Sequence, residues 1–257
     1  MEYFDDRSMI RRVHREHVVR LYGRRALLMQ AAHPLAFAGL IAHTGAMDAP
    51  YQRLARTARV IHAVVFGPRA EADRLTRRVR AMHRRVRGVL TEPAGRFPAG
   101  TPYAADDPAL LLWVLASLAD SGLVVYERYV GRLRESERRA YWQDYRQVGR
   151  LFGLRAAEMP DSLGDYVGEM LAGPDLHVTA EARSLSIRIV LHPPVPVAAR
   201  PLLEVANFVT VGLLPGRLRR EYGLRWDPAR TLVVAGGAEY VKRLVVPLLP
   251  SRLRFAR

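Results

Sequence analysis

The 257-residue chain has no cysteine, which excludes disulfides, thiolate zinc sites, iron–sulfur clusters and cysteine nucleophiles. Lysine is almost missing too. Of 40 basic side chains all but Lys242 are arginine, which suggests the codon bias of a GC-rich genome. No apolar run is long enough to read as a membrane span. The most apolar stretch, ALLMQAAHPLAFAGLIAH (26–43), is interrupted by Gln30, His33 and Pro34. It falls short of the roughly 20 uninterrupted residues a span requires and reads as a buried core helix. The N-terminus, MEYFDDRSMIRRVHREHV, is acidic and then basic, without the continuous apolar core of a signal peptide. A cytoplasmic location is therefore expected. Zinc fingers, RNP-type motifs, KH loops and P-loops are absent as well. The net charge of +15 and pI near 11 invite a nucleic-acid reading. The arginines, however, are spread over nearly every predicted helix. No specific nucleic-acid partner is expected, and attraction to anionic membrane surfaces is expected only as a weak, unspecific effect.

What is present suits a large globular core. Hydrophobic residues make up 49% of the chain and charged residues 25%, enough for a single domain over 1–257. The pattern is helical nearly throughout, so the predicted class is all-α. Ser8 to Tyr22 reads as a first helix, with Ser8 as N-cap and Gly23 as stop. About Arg24 to His43 forms a second, kinked at Pro34. The third runs from Pro50 to Phe66, closed by Gly67-Pro68. A fourth carries RRVRAMHRRVRG and continues to about Leu90. The stretch TEPAGRFPAGTPYAADDP is a loop, and Asp107-Pro108 opens a densely apolar helix. A charged helix begins at Ser136 and runs to about Leu151. LPGRLRREYG (214–223) and DPARTLVVAGGAEYVKRLVVPLLP (227–250) are further helices. The region 178–200 is the best internal break, with contacts expected to cross it. RTLVVAGG lacks the G-x-G-x-x-G spacing of a dinucleotide loop.

Histidines are the place to look for chemistry. His14 and His17, three apart on a basic helix, read as a surface pair. His177 and His192 lie in loop-like contexts. His33, His43, His62 and His83 fall on three successive helices with apolar interiors. On a helical wheel Leu75, Val79, Met82 and Val86 form one apolar stripe, bordered by Ala72, His83 and Leu90. Arg74, Arg77, Arg80, Arg84, Arg85 and Arg87 project mainly from the other side. His83 is thus expected to face inward. Two readings of such imidazoles stay open here: hydrogen-bonded core residues, or members of a site. The spacing matches neither H-E-x-x-H nor the Glu-x-x-His pairs of di-iron bundles. Carboxylates are scarce in this half of the chain, which counts against hard-metal sites. Haem asks for a single protein imidazole, apolar walls, and cationic or hydroxyl groups for its propionates. Arg53 and Thr57, spaced i, i+4 beside Leu54, Ala58, Ile61 and Val65, are the basic and hydroxyl pair best placed to look inward. Arg56 and Arg59 project the other way. Spacing alone equally allows an arginine at a helix end and a threonine bonded to its own backbone.

The succession LLMQAAHPLAFAGLIAH, RLARTARVIHAVVFG, VRAMHRRVRG, DDPALLLWVLASLADSGLVVYERYVG and LPGRLRREYG resembles the bacterial oxygenase family that includes latex-clearing protein and MpaB-type enzymes. The resemblance runs from about Arg11 to Arg230. It implies an all-helical haem b protein whose core helices are arranged somewhat like a globin. It also implies activation of dioxygen at an iron held by a histidine. His83 matches the proximal ligand, which makes it the implied metal ligand. Arg53 and Thr57 match the family's arginine-x-x-x-threonine pair beside the haem and are the implied catalytic and cofactor-binding residues. His33 and His43 are candidate distal or propionate-side groups. Two departures stand out. Arg56 occupies a position where latex-clearing proteins can carry lysine, and a guanidinium offers iron no lone pair. Leu115 follows Trp113-Val114 where many relatives read tryptophan-valine-histidine. No active-site carboxylate of the rubber-cleaving members finds a match, so rubber is not the expected substrate. The expected function is a haem b-dependent oxygenase that oxidises or cleaves an apolar small molecule with dioxygen, with any electron donor unidentified. The alternatives are a haem-binding carrier or sensor, and a basic nucleic-acid- or membrane-binding module.

Overall fold

The computed structural model of the protein describes residues 1–42 and 50–255, with side chains described for 1–41 and 55–255. A short helix, α1 (Met9–His14), is followed by a 3-10 turn (His17–Leu21) and then α2 (Tyr22–Ala31). The single helix expected from Ser8 to Tyr22 is therefore broken. The cause is tertiary. Glu16 is extended, pairs with Phe255 in an isolated antiparallel bridge, and is buried under Arg254, whose guanidinium donates to both carboxylate oxygens at 2.9–3.2 Å. The stretch that follows is a break and not a kink, with α3 (Pro34–Ala42) starting afresh after His33. Proline fits a first helical position because the missing N–H has no intrahelical partner there.

The next helix, α4 (Pro50–Phe66), has the bounds the sequence predicts. After Gly67-Pro68 the chain turns back as α5 (Arg69–His83), packed along α4 as a helical hairpin. Expected to reach Leu90, α5 ends at His83. Arg87–Val89 (β1) instead pairs antiparallel with Pro102–Ala104 (β2), Gly88 opposite Tyr103. A Cβ on Gly88 would lie 2.5 Å from the Tyr103 hydroxyl oxygen, so glycine is what lets this strand sit under the ring.

Asp107 caps α6 (Pro108–Tyr129), accepting from the Ala109 and Leu110 amides at 2.8 and 3.4 Å. Among the described residues α6 is long and apolar enough to cross a membrane, yet 61% of its apolar window is buried inside the protein. Both α2 and α7 (Glu135–Phe152) pack on it, and Trp113, Ala116 and Ala119 are fully enclosed. That is the packing of a core helix. Gly153, in the left-handed region (φ +106°), ends α7.

Three helices without sequence-based expectation follow: α8 (Leu163–Ala172), α9 (Ala180–Ser186) and α10 (Arg200–Leu213). The suspected break at 178–200 is not a boundary, since Leu185, Val190 and Leu191 share one hydrophobic cluster with Phe4 and Tyr222. The chain closes with α11 (Gly216–Glu221), α12 (Pro228–Tyr240), a π-type turn (Val241–Val245), α13 (Val246–Leu248) and α14 (Ser251–Arg254). RTLVVAGG lies in α12, not in a strand. The β1–β2 pair is the one sheet among the described residues, so the class is all-α.

Polar ties lock these layers. Arg25, buried in α2, pairs with Asp120 (2.7 Å) and donates to the Ser121 hydroxyl (2.7 Å) and the Leu213 carbonyl (2.8 Å), joining α2, α6 and α10. Arg217 donates to the carbonyls of Leu171, Gly173 and Leu176, fixing the loop after α8.

Candidate functional site

His83 ends α5 and lines a crevice of about 200 Å3 with Arg80, Arg84, Asp106, Leu111, Phe152 and Gly153. Its Nδ1 is buried. The inward side of α5 is rotated from the expected wheel. Ala72 and Thr76 are buried, whereas Met82, expected in the stripe, is 54% exposed. Thr76 can be buried because its hydroxyl donates to the Ala72 carbonyl one turn back (2.8 Å). The rotation brings His83 nearer the centre of the inward face than the wheel suggests. The other arginines of this helix are exposed as expected. Arg80 and Arg84, though exposed, are also walls of the crevice. Asp106 accepts from Arg87 (3.0 and 3.3 Å), which neutralises it. Among the described residues no ion-pair partner is found for Arg80 or Arg84. The wheel turned Arg80 and Arg84 away from His83; the structure brings both to its crevice, where Leu111 and Phe152 close it.

Residues 53 and 57 lie on α4. Arg53 starts fourteen residues before Gly67, and His83 ends fifteen after Pro68. At the helical rise both stand about 21–23 Å from the turn of the hairpin, at its open end. The side chain of Arg53 and the whole of His43 lie outside the described residues. The wheel places Thr57 inward and Arg56 and Arg59 outward, but all three are exposed, as are Ala55 and Ala58. Among its described side chains, burial on α4 begins in the second half, where Ala63, Val64 and Val65 meet the core.

The remaining histidines are dispersed. His33 is buried at the α2–α3 break beside Phe97 (ring centroids 5.6 Å apart) and does not line the His83 crevice. Burial lowers it to about 4, against an opposing pull from Asp175. His14, expected on the surface, is buried, with Nε2 2.8 Å from the Tyr145 hydroxyl and 3.3 Å from that of Tyr141. Burial lowers it to about 4 as well. His62 is exposed against Phe66 rather than inward. Leu115 is core: its Cδ2 would lie 2.8 Å from a Cβ on Gly149. Among the described residues no three histidines or carboxylates converge as a metal site. The arrangement offers one imidazole, two guanidinium groups and two apolar side chains on one crevice.

A family model described as ER-bound oxygenase mpaB/B'/Rubber oxygenase, catalytic domain, matches residues 11–243. An uncharacterized protein of Mycobacterium bovis and one of Mycobacterium tuberculosis are each 24% identical over 188 residues, covering 70% of this chain and 69% of theirs. No solved structure matches. The family match runs from α1 to the turn after α12 and takes in the His83 crevice, so the chain belongs to the MpaB and rubber-oxygenase catalytic-domain family, whose activity is oxygenation.

Proposed function

We propose that the protein is a haem b-dependent oxygenase acting on an apolar small molecule, with His83 as the residue that would hold the iron. The observation that carries this reading is the composition of the His83 crevice. Haem b needs one imidazole, apolar walls and cations for its propionates. His83, then Leu111 and Phe152, then Arg80 and Arg84 answer to those needs in turn. Bound there, the haem supplies dioxygen activation at its iron. His83 would hold it, and Arg80 and Arg84 would neutralise its carboxylates through charge-assisted hydrogen bonds. Leu111 and Phe152 would exclude water around His83. The crevice is smaller than the about 300–1,000 Å3 of a complete ligand pocket. The exposed flank of α4 at the same end of the hairpin is the surface on which the remainder of the group would lie. Thr57 there would bring a hydroxyl donor, and Arg53, one turn earlier in the sequence of α4, would add a cation.

The test is spectroscopic. His83→Ala is expected to abolish the Soret band of the purified protein while leaving its helicity intact, and His33→Ala to retain it. A His83→Ala variant with full haem and an unchanged spectrum refutes the ligand. Losing one charge-assisted hydrogen bond, worth about 1.5–3 kcal/mol, weakens haem binding or activity roughly tenfold or more. That loss is expected for Arg53→Ala and for Thr57→Ala, and not for Arg56→Ala or Arg59→Ala. Equal effects at all four would show that α4 presents no privileged face. Haem retained without oxygen consumption on any apolar substrate would support the carrier reading instead.

A further inference from the structure

Between α1 and α7 lies a buried polar cluster that the oxygenase reading does not use. The Tyr145 hydroxyl is 2.8 Å from Nε2 of His14, and the Tyr141 hydroxyl is 3.3 Å from the same nitrogen. Tyr141 and Tyr145 are fully enclosed, their ring centroids 5.0 Å apart, and His14 is buried with them. Tyr22 meets the His14 ring edge-on at 5.0 Å. Tyr141 also donates to the Ala119 carbonyl (3.3 Å), which leaves Nε2 to the shorter bond from Tyr145. Accepting there, the imidazole is neutral, with its own proton on Nδ1. Burial keeps both groups uncharged, lowering His14 and raising Tyr145 well above its ordinary range. Apolar side chains of the same shape would hold α1 to α7 about as well. Packing alone therefore does not call for a histidine among phenols.

A phenol that loses an electron becomes a very strong acid, so it is oxidised far more readily when a base stands ready for its proton. His14 is such a base, within the about 2.6–3.2 Å over which a side chain exchanges a proton. We propose that Tyr145 and His14 form a proton-coupled redox site. Tyr145 gives one electron to a one-electron oxidant and its hydroxyl proton to Nε2 of His14. A neutral tyrosyl radical and an imidazolium remain, and a returning electron brings the proton back across the same bond. Enclosure of the Tyr145 ring keeps solvent and other reductants from the radical. In the working enzyme the oxidant is the dioxygen-derived one left at the His83 crevice when no substrate consumes it, and Tyr145 discharges it. Phe152 of that crevice stands on the same face of α7 as Tyr145, seven residues further on and about 10 Å along the axis. The link to the crevice rests on the haem reading; the Tyr145–His14 pair does not.

The experiment is electron paramagnetic resonance of the full purified chain, frozen at intervals after oxidation by photogenerated tris(bipyridine)ruthenium(III). That oxidant needs no haem, so the result stands whether or not His83 holds one. Wild-type protein is expected to give a tyrosyl signal coupled to one exchangeable proton and lasting roughly tenfold longer than the signal of Tyr145→Phe. His14→Gln keeps a hydrogen-bond acceptor but loses the base, and its persistent signal is expected to fall roughly tenfold. Tyr166→Phe, on α8 and outside the cluster, is expected to match wild type. A wild-type signal that does not persist, or that lacks the proton coupling, overturns the proposal without reference to how any variant folds. So does a persistent signal that survives Tyr145→Phe or is unchanged in His14→Gln. Haem-loaded protein given hydrogen peroxide without substrate is expected to show the same signal. Bound haem that reacts with peroxide and leaves Tyr145 unoxidised overturns the link to the crevice.

Discussion

At His14, burial alone pushes the imidazole from its ordinary 6.5 down to about 4. The ring sits edge-on to Tyr22 and beside the Tyr141 and Tyr145 hydroxyls, which satisfy a neutral ring without stabilising a charged one. A lowered native value means the unfolded chain binds the proton more readily between these limits. Stability from His14 is therefore complete above about pH 6.5 and is lost as pH falls toward 4, by about 3 kcal/mol over the whole window. His33 adds a loss of the same sign. Thermal midpoints are expected to fall as pH is lowered from about 7 to 5, and His14→Gln is expected to flatten that fall. An identical pH profile in the variant would show that another group carries the linkage.

Helices whose ends are set by local chemistry match their sequence-based bounds. Pro50 and Gly67-Pro68 delimit α4, and the Asp107 cap with Pro108 starts α6. Elements that end on a distant partner do not match. The α5 helix stops at His83 because the chain beyond it pairs with Pro102–Ala104, fifteen residues further on. Glu16 interrupts the first helix for Arg254 and Phe255. The β1–β2 contact gives a prediction at this scale. Gly88→Ala places a methyl 2.5 Å from the Tyr103 hydroxyl oxygen and 2.7 Å from its ring carbon. Tyr103 is buried, so overpacking is expected to cost about 1–3 kcal/mol. A urea midpoint unchanged from wild type would show that the ring yields freely.

For the whole molecule the dominant property is charge. Arginines are distributed over many elements, and fifteen ion pairs among the described residues engage part of them with Asp and Glu. Such a surface attracts duplex DNA without reading it. Affinity is expected to stay weaker than about 1 μM at physiological salt and to fall steeply as salt rises. Fluorescence anisotropy with unrelated duplexes checks this, and tight binding that discriminates between them would restore the binding-module reading.

Hydrophobic periodicity and capping residues settled the helical class, the α4 and α6 bounds and the inward turn of His83, because all three depend on neighbours within a few turns of chain. Tertiary structure decided the rest. His14 is buried because Tyr145 and Tyr141 approach it from 131 and 127 residues away, and no local pattern encodes that distance. Thr57 is exposed because burial on α4, among its described side chains, begins only in the second half. Arg80 and Arg84 join the His83 crevice only where Leu111 and Phe152 from α6 and α7 close it. Periodicity tells which side of a helix is apolar; whether another element, a cofactor or a membrane covers that side depends on how the helices pack.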